Sequence, residues 1–295
     1  MAEPTIAVVG PGAIGTTVAA ALHEIGRTPQ LYGRSRRQQL LLDTPDERIT
    51  VPGPVVTNPE DAGTPVDLLF LSVKATQIDA SAAWLTALCA DETVVCVLQN
   101  GVEQVAMVRP HTPAAKIVPS IVWFPAEAQP DHSVRLRGAP RLTVPAVEPT
   151  RIISEVLAGS RIAVERAEDF TTEAWRKLIQ NAIAGLMVLT RRRSGMFQRD
   201  DVVDLAIRYA RECLTVARAE GAKLSDSTPE EVVAVFQGHP SDMGTSILAD
   251  REAGRPLEWR TRNGVIARLG RAHGIATPVS DVLVPLLAAA SDGPG

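Results

Sequence analysis

Short apolar runs alternate with helical periods through the first half of the chain. Residues 5–9, 30–32, 66–73, 93–98 and 116–122 have the length and composition of strands, and the stretches between them are long enough for crossover helices. This alternation predicts a parallel sheet with helices on its faces. Around residues 133–144 the runs shorten between prolines and glycines, which predicts an antiparallel extension of that sheet. Beyond Arg166 the strand pattern stops and a helical period takes over. Helices are predicted over 170–190, with Asp169 as a capping residue, and around 200–220, 228–237, 241–253, 257–272 and 279–290. Gly254 and Pro256 separate two of them, and Gly274 and Pro278 another pair, in the usual order of stop and restart. The expected fold is α/β: an N-terminal Rossmann-type doubly wound sheet over residues 1–166, then an all-helical C-terminal domain over 167–295. A cleft is expected between the two, and a frayed tail at 291–295.

The first strand runs directly into Gly10, Gly12 and Gly15, spaced as GxGxxG, and an alanine-rich helical stretch follows over 16–25. A lone GxGxxG is weak, but a strand before it and a helix after it supply the context of a dinucleotide-binding loop. Gly10 permits the tight turn, Gly12 lets the backbone approach a pyrophosphate, and Gly15 lets the helix pack on the strand. Pro11, Ala13 and Ile14 complete the loop, and the helix N-terminus faces the phosphates. An Asp or Glu about 20 residues further on would bind a ribose diol. None stands there. The second strand is followed instead by Gly33, Arg34, Ser35, Arg36 and Arg37. Guanidinium groups beside a serine suit a 2′-phosphate, so NADP(H) is the expected cofactor, against the alternative of a solvated arginine-rich loop.

Composition narrows the partners. A length of 295 residues suggests two domains, and with aromatics at only 4% their cores must rest on Val, Leu, Ile and Ala. A net charge of −4 leaves no basic footprint for nucleic acid or an acidic membrane surface. The run Arg191, Arg192 and Arg193 reads as a solvated helix C-terminus, and the four tryptophans as packing residues. Cys89, Cys96 and Cys213 lie in apolar or amphipathic runs without CxxC spacing, which predicts free buried thiols and a reducing compartment. The histidines form no HExxH pattern, so no metal is expected. Neither a signal segment nor an apolar run of about 18 residues is present, and the expected location is cytoplasmic.

Candidate chemistry gathers in the helical half. Lys177 and Asn181 stand four residues apart, so they share a helix face about 6 Å from one another. A cation and an amide placed so can polarise a carbonyl and orient a substrate. The same spacing also fits a surface lysine paired with Glu173, and the pattern alone leaves both readings open. Asn100 and Gly101 follow the strand at 93–98, at a carboxyl end of the sheet where open α/β folds bind ligands, although Asn-Gly is also a common turn.

Taken in order, these motifs resemble the ketopantoate reductases (2-dehydropantoate 2-reductases) over nearly the whole chain. The matching positions are the 10–15 loop, Val73 and Lys74 with Gln77, Gln99 with Asn100 and Gly101, and Trp175 with Lys177 and Asn181. Further along they are Ser246 with Asp250, Gly254 and Arg255 with Glu258, Asn263 with Gly264, and residues 272–275 with Pro278. The resemblance implies NADPH-dependent reduction of a 2-oxo acid, ketopantoate to pantoate on the route to pantothenate. It implies Lys177 as general acid and Asn100 and Asn181 as substrate-holding amides. Ser246 would contact the substrate carboxylate, and Glu258 would accept from the substrate hydroxyl. Lys74, Gln77 and Asn100 would face the cofactor. A helix serine bonding its own backbone and a first-turn carboxylate remain the plain readings of Ser246 and Glu258.

Three departures from the family pattern bear on the substrate: Gly185 where a second asparagine is usual, Arg260 where an aspartate is usual, and Met243 before the serine where polar residues are usual. A lost hydrogen-bonding partner changes specificity strongly. A paralogue acting on another 2-oxo acid or ketone is therefore the alternative enzyme, and a non-catalytic NADPH-sensing protein the alternative of a different class. A homodimer is left open as the assembly.

Overall fold

A computed structural model describes residues 3–292. The chain divides into two compact units, one made of residues up to Gln99 with Glu103–Phe170, the other of Asn100–Val102 with residues from Thr171 onward.

In the first unit five parallel strands lie in the order Gln30–Tyr32, Ile6–Val9, Leu68–Leu71, Val94–Val97, Lys116–Pro119. Val56 adds a single parallel bridge to Tyr32 at the outer edge. Counting that residue as a vestigial third strand gives the spatial order 3-2-1-4-5-6 of the doubly wound dinucleotide fold. The order reverses between Ile6–Val9 and Leu68–Leu71, so Gly10 on one side and Ser72 to Lys74 on the other follow the strands that flank the switch point. Ligands bind at the carboxyl ends of strands at such a point.

The three inner strands are buried at every position, as befits a parallel sheet covered on both faces. Ala7, Val9, Leu69, Leu71, Val95 and Val97 pack with Trp84, Leu85 and Leu88 of the helix Ala82–Leu88. The alternate positions Ile6, Val8, Leu68, Phe70, Val94 and Cys96 pack with Val18, Ala21 and Leu22 of the helix Ala13–Glu24. Burial pushes the Cys96 thiol up to about 12 and the Cys89 thiol to about 11. Both stay protonated and inert at neutral pH.

The expected antiparallel extension of this sheet does not form. Residues 116–122 are cut at Ser120, whose Oγ donates to Val97 O at 2.7 Å while its amide donates to Gln104 Oε1 at 2.9 Å. Pro119, the last residue of the edge strand, has no amide to offer a further neighbour. The later runs therefore build two separate sheets. Val134–Leu136 pairs parallel to Gln39–Asp43 and antiparallel to Ala126–Ala128, with Arg48–Pro52 on the far side of Gln39–Asp43. Arg141–Pro145 pairs antiparallel to Ile121–Val122 and parallel to Ala163–Ala167.

The second unit is helical, with Phe170–Thr190 at its centre. Positions 181–188 of that helix are buried without interruption, so neighbours surround it on all sides. Around it stand Asp200–Ala219, Thr228–Gly238, Ser246–Glu252, Val265–Ala272 and Pro278–Asp292. The helix expected from 241 begins only at Ser246, because Thr245 caps it, its Oγ1 accepting from Leu248 N at 3.4 Å. The one expected from 257 opens as a π-helical turn, Arg260–Gly264. Of the supposed frayed tail, Ser291 and Asp292 belong to the last helix, and Ser291 Oγ accepts from Leu257 N at 3.0 Å. Residues 293–295 lie outside the described residues. Among the described residues no helix is long and apolar enough to cross a membrane.

Phe70 is one of the largest fully buried side chains in the first unit. Phe70→Ala is expected to lower unfolding free energy by about 3–5 kcal/mol. A guanidinium titration checks it, through a reduced midpoint at unchanged slope.

Candidate functional site

The glycine loop is shaped by close approach at two positions and left open at a third. Gly10 has φ of +86°, and a Cβ there would lie 2.6 Å from Val73 Cγ1 and 2.9 Å from Val73 N. A Cβ on Gly15 would lie 2.6 Å from Gly10 O and press on the Ser72 hydroxyl. Both glycines are required by the protein's own packing. Gly12 differs, being exposed, with nothing nearer than 4.0 Å to the same imagined atom. Its bare face, at the start of a helix that no side chain caps, fits a pyrophosphate approaching the backbone.

Two other segments belong to this loop's surroundings. Gly33 packs against Pro11, where a Cβ would come within 2.9 Å of Pro11 Cδ, so the arginine run starts beside the glycine loop. Arg37 reaches back to Pro11 O at 3.5 Å, while Arg34 and Arg36 are exposed. Lys74 is half-buried just after the strand Leu68–Leu71, and its amide donates to Gln77 Oε1 at 3.4 Å. Gln77 thereby closes the short turn Ala75–Gln77 that presents Lys74. Among the described residues no group of three or more His, Cys, Asp or Glu could hold a metal ion.

In the helical unit a continuous hydrogen-bonded chain runs through five side chains. Asn181 Nδ2 donates to Asn100 Oδ1 at 3.2 Å, and Asn100 Nδ2 donates to Glu258 Oε2, also at 3.2 Å. The same carboxylate oxygen lies 3.5 Å from Arg262 Nη2, which donates to Ser246 Oγ at 2.9 Å. Glu258 is 6% exposed and Arg262 2%, while Ser246 is exposed. Burial of a carboxylate demands such donors. Four of the sequence-derived positions, Asn100, Asn181, Ser246 and Glu258, are thus brought together. Lys177 is half-buried one turn before Asn181 on the same helix. His239 stands near enough for the Lys177 charge to be felt, its pKa lowered first by burial and then by that cation.

Arg262 was not legible as a site residue. The available signal was its position four residues after Glu258, the spacing of an ion pair on one helix face. Asp250, by contrast, is taken up in a local ion pair, its Oδ1 accepting from Arg255 Nε at 2.9 Å.

The departures at 185 and 260 also find physical accounts. A Cβ on Gly185 would lie 2.8 Å from Asn263 Nδ2 and 3.2 Å from Leu287 Cδ1. Asn263 is fully buried there, donating to Ala182 O at 2.9 Å and Tyr209 Oη at 3.0 Å. Glycine at 185 is therefore the counterpart of Asn263 in the core of the unit. Arg260 is exposed, its guanidinium 5.3 Å from the centre of the Trp259 ring, and it takes no part in the hydrogen-bonded chain. Met243 N donates to Pro240 O at 2.9 Å in the turn that precedes the helix of Ser246.

A doubly wound dinucleotide fold, joined to a helical unit that carries this buried polar chain, defines a nucleotide-dependent oxidoreductase. Comparison with known proteins makes the assignment specific. The family described as Ketopantoate reductase PanE/ApbA matches residues 6–149, and its C-terminal counterpart, Ketopantoate reductase PanE/ApbA C terminal, matches residues 169–291. The 2-dehydropantoate 2-reductase of Mycobacterium tuberculosis is 59% identical over 292 residues, covering 98% of this chain and 99% of the relative. That of Caulobacter vibrioides is 37% identical over 288 residues, covering 97% and 99%. Among solved structures, a dimeric ketopantoate reductase from Staphylococcus aureus superposes with a TM-score of 0.88 at 27% identity, covering 99% of this chain and all of that one. A D-mandelate dehydrogenase shares the fold, with a TM-score of 0.86 at 21% identity and 98% of each chain covered. The chain belongs to the ketopantoate reductase family.

Gly185→Asn would place a polar side chain against Asn263 and Leu287. A stability loss of about 1–3 kcal/mol is expected. Thermal unfolding monitored by circular dichroism reads it, and an unchanged midpoint would show that position 185 has room to spare.

Proposed function

We propose that this protein is an NADPH-dependent reductase of 2-dehydropantoate, forming pantoate on the route to pantothenate. The observation that carries the reading is the chain from Asn181 through Asn100, Glu258 and Arg262 to Ser246, which gathers amide, carboxylate and hydroxyl groups beside Lys177 in one unit. The names of the 59% and 37% identical relatives support the same substrate. We assign cofactor binding to residues 1–166 and substrate binding and proton transfer to residues 167–295 together with Asn100.

NADPH supplies a hydride to the ketone carbon when bound. Gly10, Pro11, Gly12, Ala13, Ile14 and Gly15 would hold its pyrophosphate, Arg34 would meet its 2′-phosphate, and Lys74, Gln77 and Asn100 would complete its contacts. As the carbonyl carbon is reduced, negative charge grows on its oxygen, and the Lys177 ammonium stabilises that charge and delivers the proton. Asn181 and Asn100 orient the oxo acid. Ser246 donates to its carboxylate, and Glu258 accepts from its hydroxyl. Burial first, and the neighbouring Lys177 charge second, disfavour protonation of His239. A cytoplasmic location belongs to this reading, and so does a homodimer, by likeness to the dimeric Staphylococcus aureus enzyme.

Lys177→Ala is expected to lower kcat by ~10²–10⁴ while the NADPH dissociation constant stays within about twofold, as befits loss of a general acid. Stopped-flow turnover and fluorescence titration separate the two, and a variant turning over like wild type would remove Lys177 from this role. Arg34→Ala is expected to weaken NADPH by about tenfold and to leave NADH unaffected, as a charge-assisted contact to phosphate alone requires. Across a panel of 2-oxo acids, 2-dehydropantoate should give the highest kcat/KM with NADPH. A different acid in first place would overturn the substrate assignment.

A further inference from the structure

Arg262 is an unusual residue to bury. Among the described residues its carboxylate partner is Glu258 at 3.5 Å, well beyond the 2.7–2.9 Å of a close charge-assisted contact. Its Nε is buried without any hydrogen-bond partner. A buried ion pair so loosely made is weak support for stability, since well-packed apolar side chains serve as well or better. Its remaining contact is the informative one. Arg262 Nη2 donates to Ser246 Oγ at 2.9 Å, and a guanidinium can only donate. The Ser246 oxygen is thereby held as acceptor toward Arg262, and its hydroxyl hydrogen must turn to another partner. Ser246 is exposed at the first turn of its helix, so that hydrogen is presented where a ligand can reach it.

Charge strengthens the argument. A 2-oxo acid brings a carboxylate into a region that already holds the buried carboxylate of Glu258. Two anions at close range repel, unless a cation stands between or behind them. Besides the Lys177 ammonium, Arg262 is such a cation, in contact with Glu258 and one hydrogen bond behind the Ser246 hydroxyl.

We propose that Arg262 is a positioning residue that makes the site selective for carboxylate substrates. It fixes Ser246 as a hydrogen-bond donor, and its charge offsets that of Glu258 when an acid binds. The proposal rests on the reading of this site as that of a 2-oxo acid reductase.

The test compares kcat/KM for 2-dehydropantoate with that for its neutral methyl ester, in the wild type, Arg262→Lys, Arg262→Gln, Ser246→Ala and the double variant of Ser246→Ala with Arg262→Gln. Arg262→Gln should lower the acid-over-ester preference by about tenfold, mainly through the KM of the acid, as loss of a charged hydrogen-bond donor implies. Arg262→Lys, which keeps charge and donor, should retain the preference within about threefold. In the Ser246→Ala background the same Arg262→Gln change should cost markedly less, because the two residues act as one unit. A purely structural arginine would lower acid and ester alike, and that result overturns the proposal, as does a preference that survives Arg262→Gln.

If Arg262→Gln alone loses its cooperative thermal transition, the double variant of Glu258→Gln with Arg262→Gln replaces it, because that variant strands no buried charge. Its acid-over-ester preference should fall below that of the wild type, and an equal preference overturns the proposal. Calorimetric binding of pantoate and of neutral pantolactone gives a readout independent of turnover. A wild type that reduces no 2-oxo acid sinks the functional reading. The role of Arg262 is then decided by whether Arg262→Gln abolishes the preference for pantoate over pantolactone or leaves it intact.

Discussion

A carboxylate cannot be held away from water without donors, and the burial of Glu258 sets the terms for everything near it. Its Oε2 takes the Asn100 amide on one side and faces the Arg262 guanidinium on the other. Those two in turn engage Asn181 and Ser246, so four separate segments converge because one anion requires them. The geometry of this polar group is thus inherited from an electrostatic demand. Removing one member of a buried pair leaves the other uncompensated, at a cost of about 3–5 kcal/mol.

The first unit obeys a steric constraint instead. Gly10 and Gly15 have no room for a side chain, since backbone atoms of Val73 and Gly10 occupy the space one would fill. The sharp turn and the close seat of the helix Ala13–Glu24 on the sheet follow from that. Gly12 is the exception within the motif, with no atom nearer than 4.0 Å to the Cβ it lacks.

Much of this was legible from the chain alone. The helix Phe170–Thr190 was readable to its end residues because its apolar period is long and unbroken. The three inner strands of the main sheet were readable because a buried parallel strand is a continuous apolar run. The small sheets were misjudged for a physical reason: pairing between short strands such as Val134–Leu136 and Gln39–Asp43 depends on partners about 90 residues apart, which no local pattern encodes. Arg262 escaped notice because a single charge in a helical stretch ordinarily faces solvent. Only the three-dimensional neighbours reveal that this one does not. Gly185 looked like a gap in the substrate lining, whereas its neighbour Asn263, distant in sequence, gives it a packing role.

Asn100–Val102 form part of the helical unit although the residues on both sides of them belong to the sheet-bearing one. The chain therefore passes between units three times, at 99–100, 102–103 and 170–171. Contiguity in sequence and membership in a folded body are different things here. A fragment beginning after residue 170 would carry Asn181, Glu258, Arg262 and Ser246 but not the amide that links the first two. The halves are consequently not interchangeable modules. A graft of this helical segment onto another nucleotide-binding scaffold would have to bring three residues from the loop after the strand Val94–Val97.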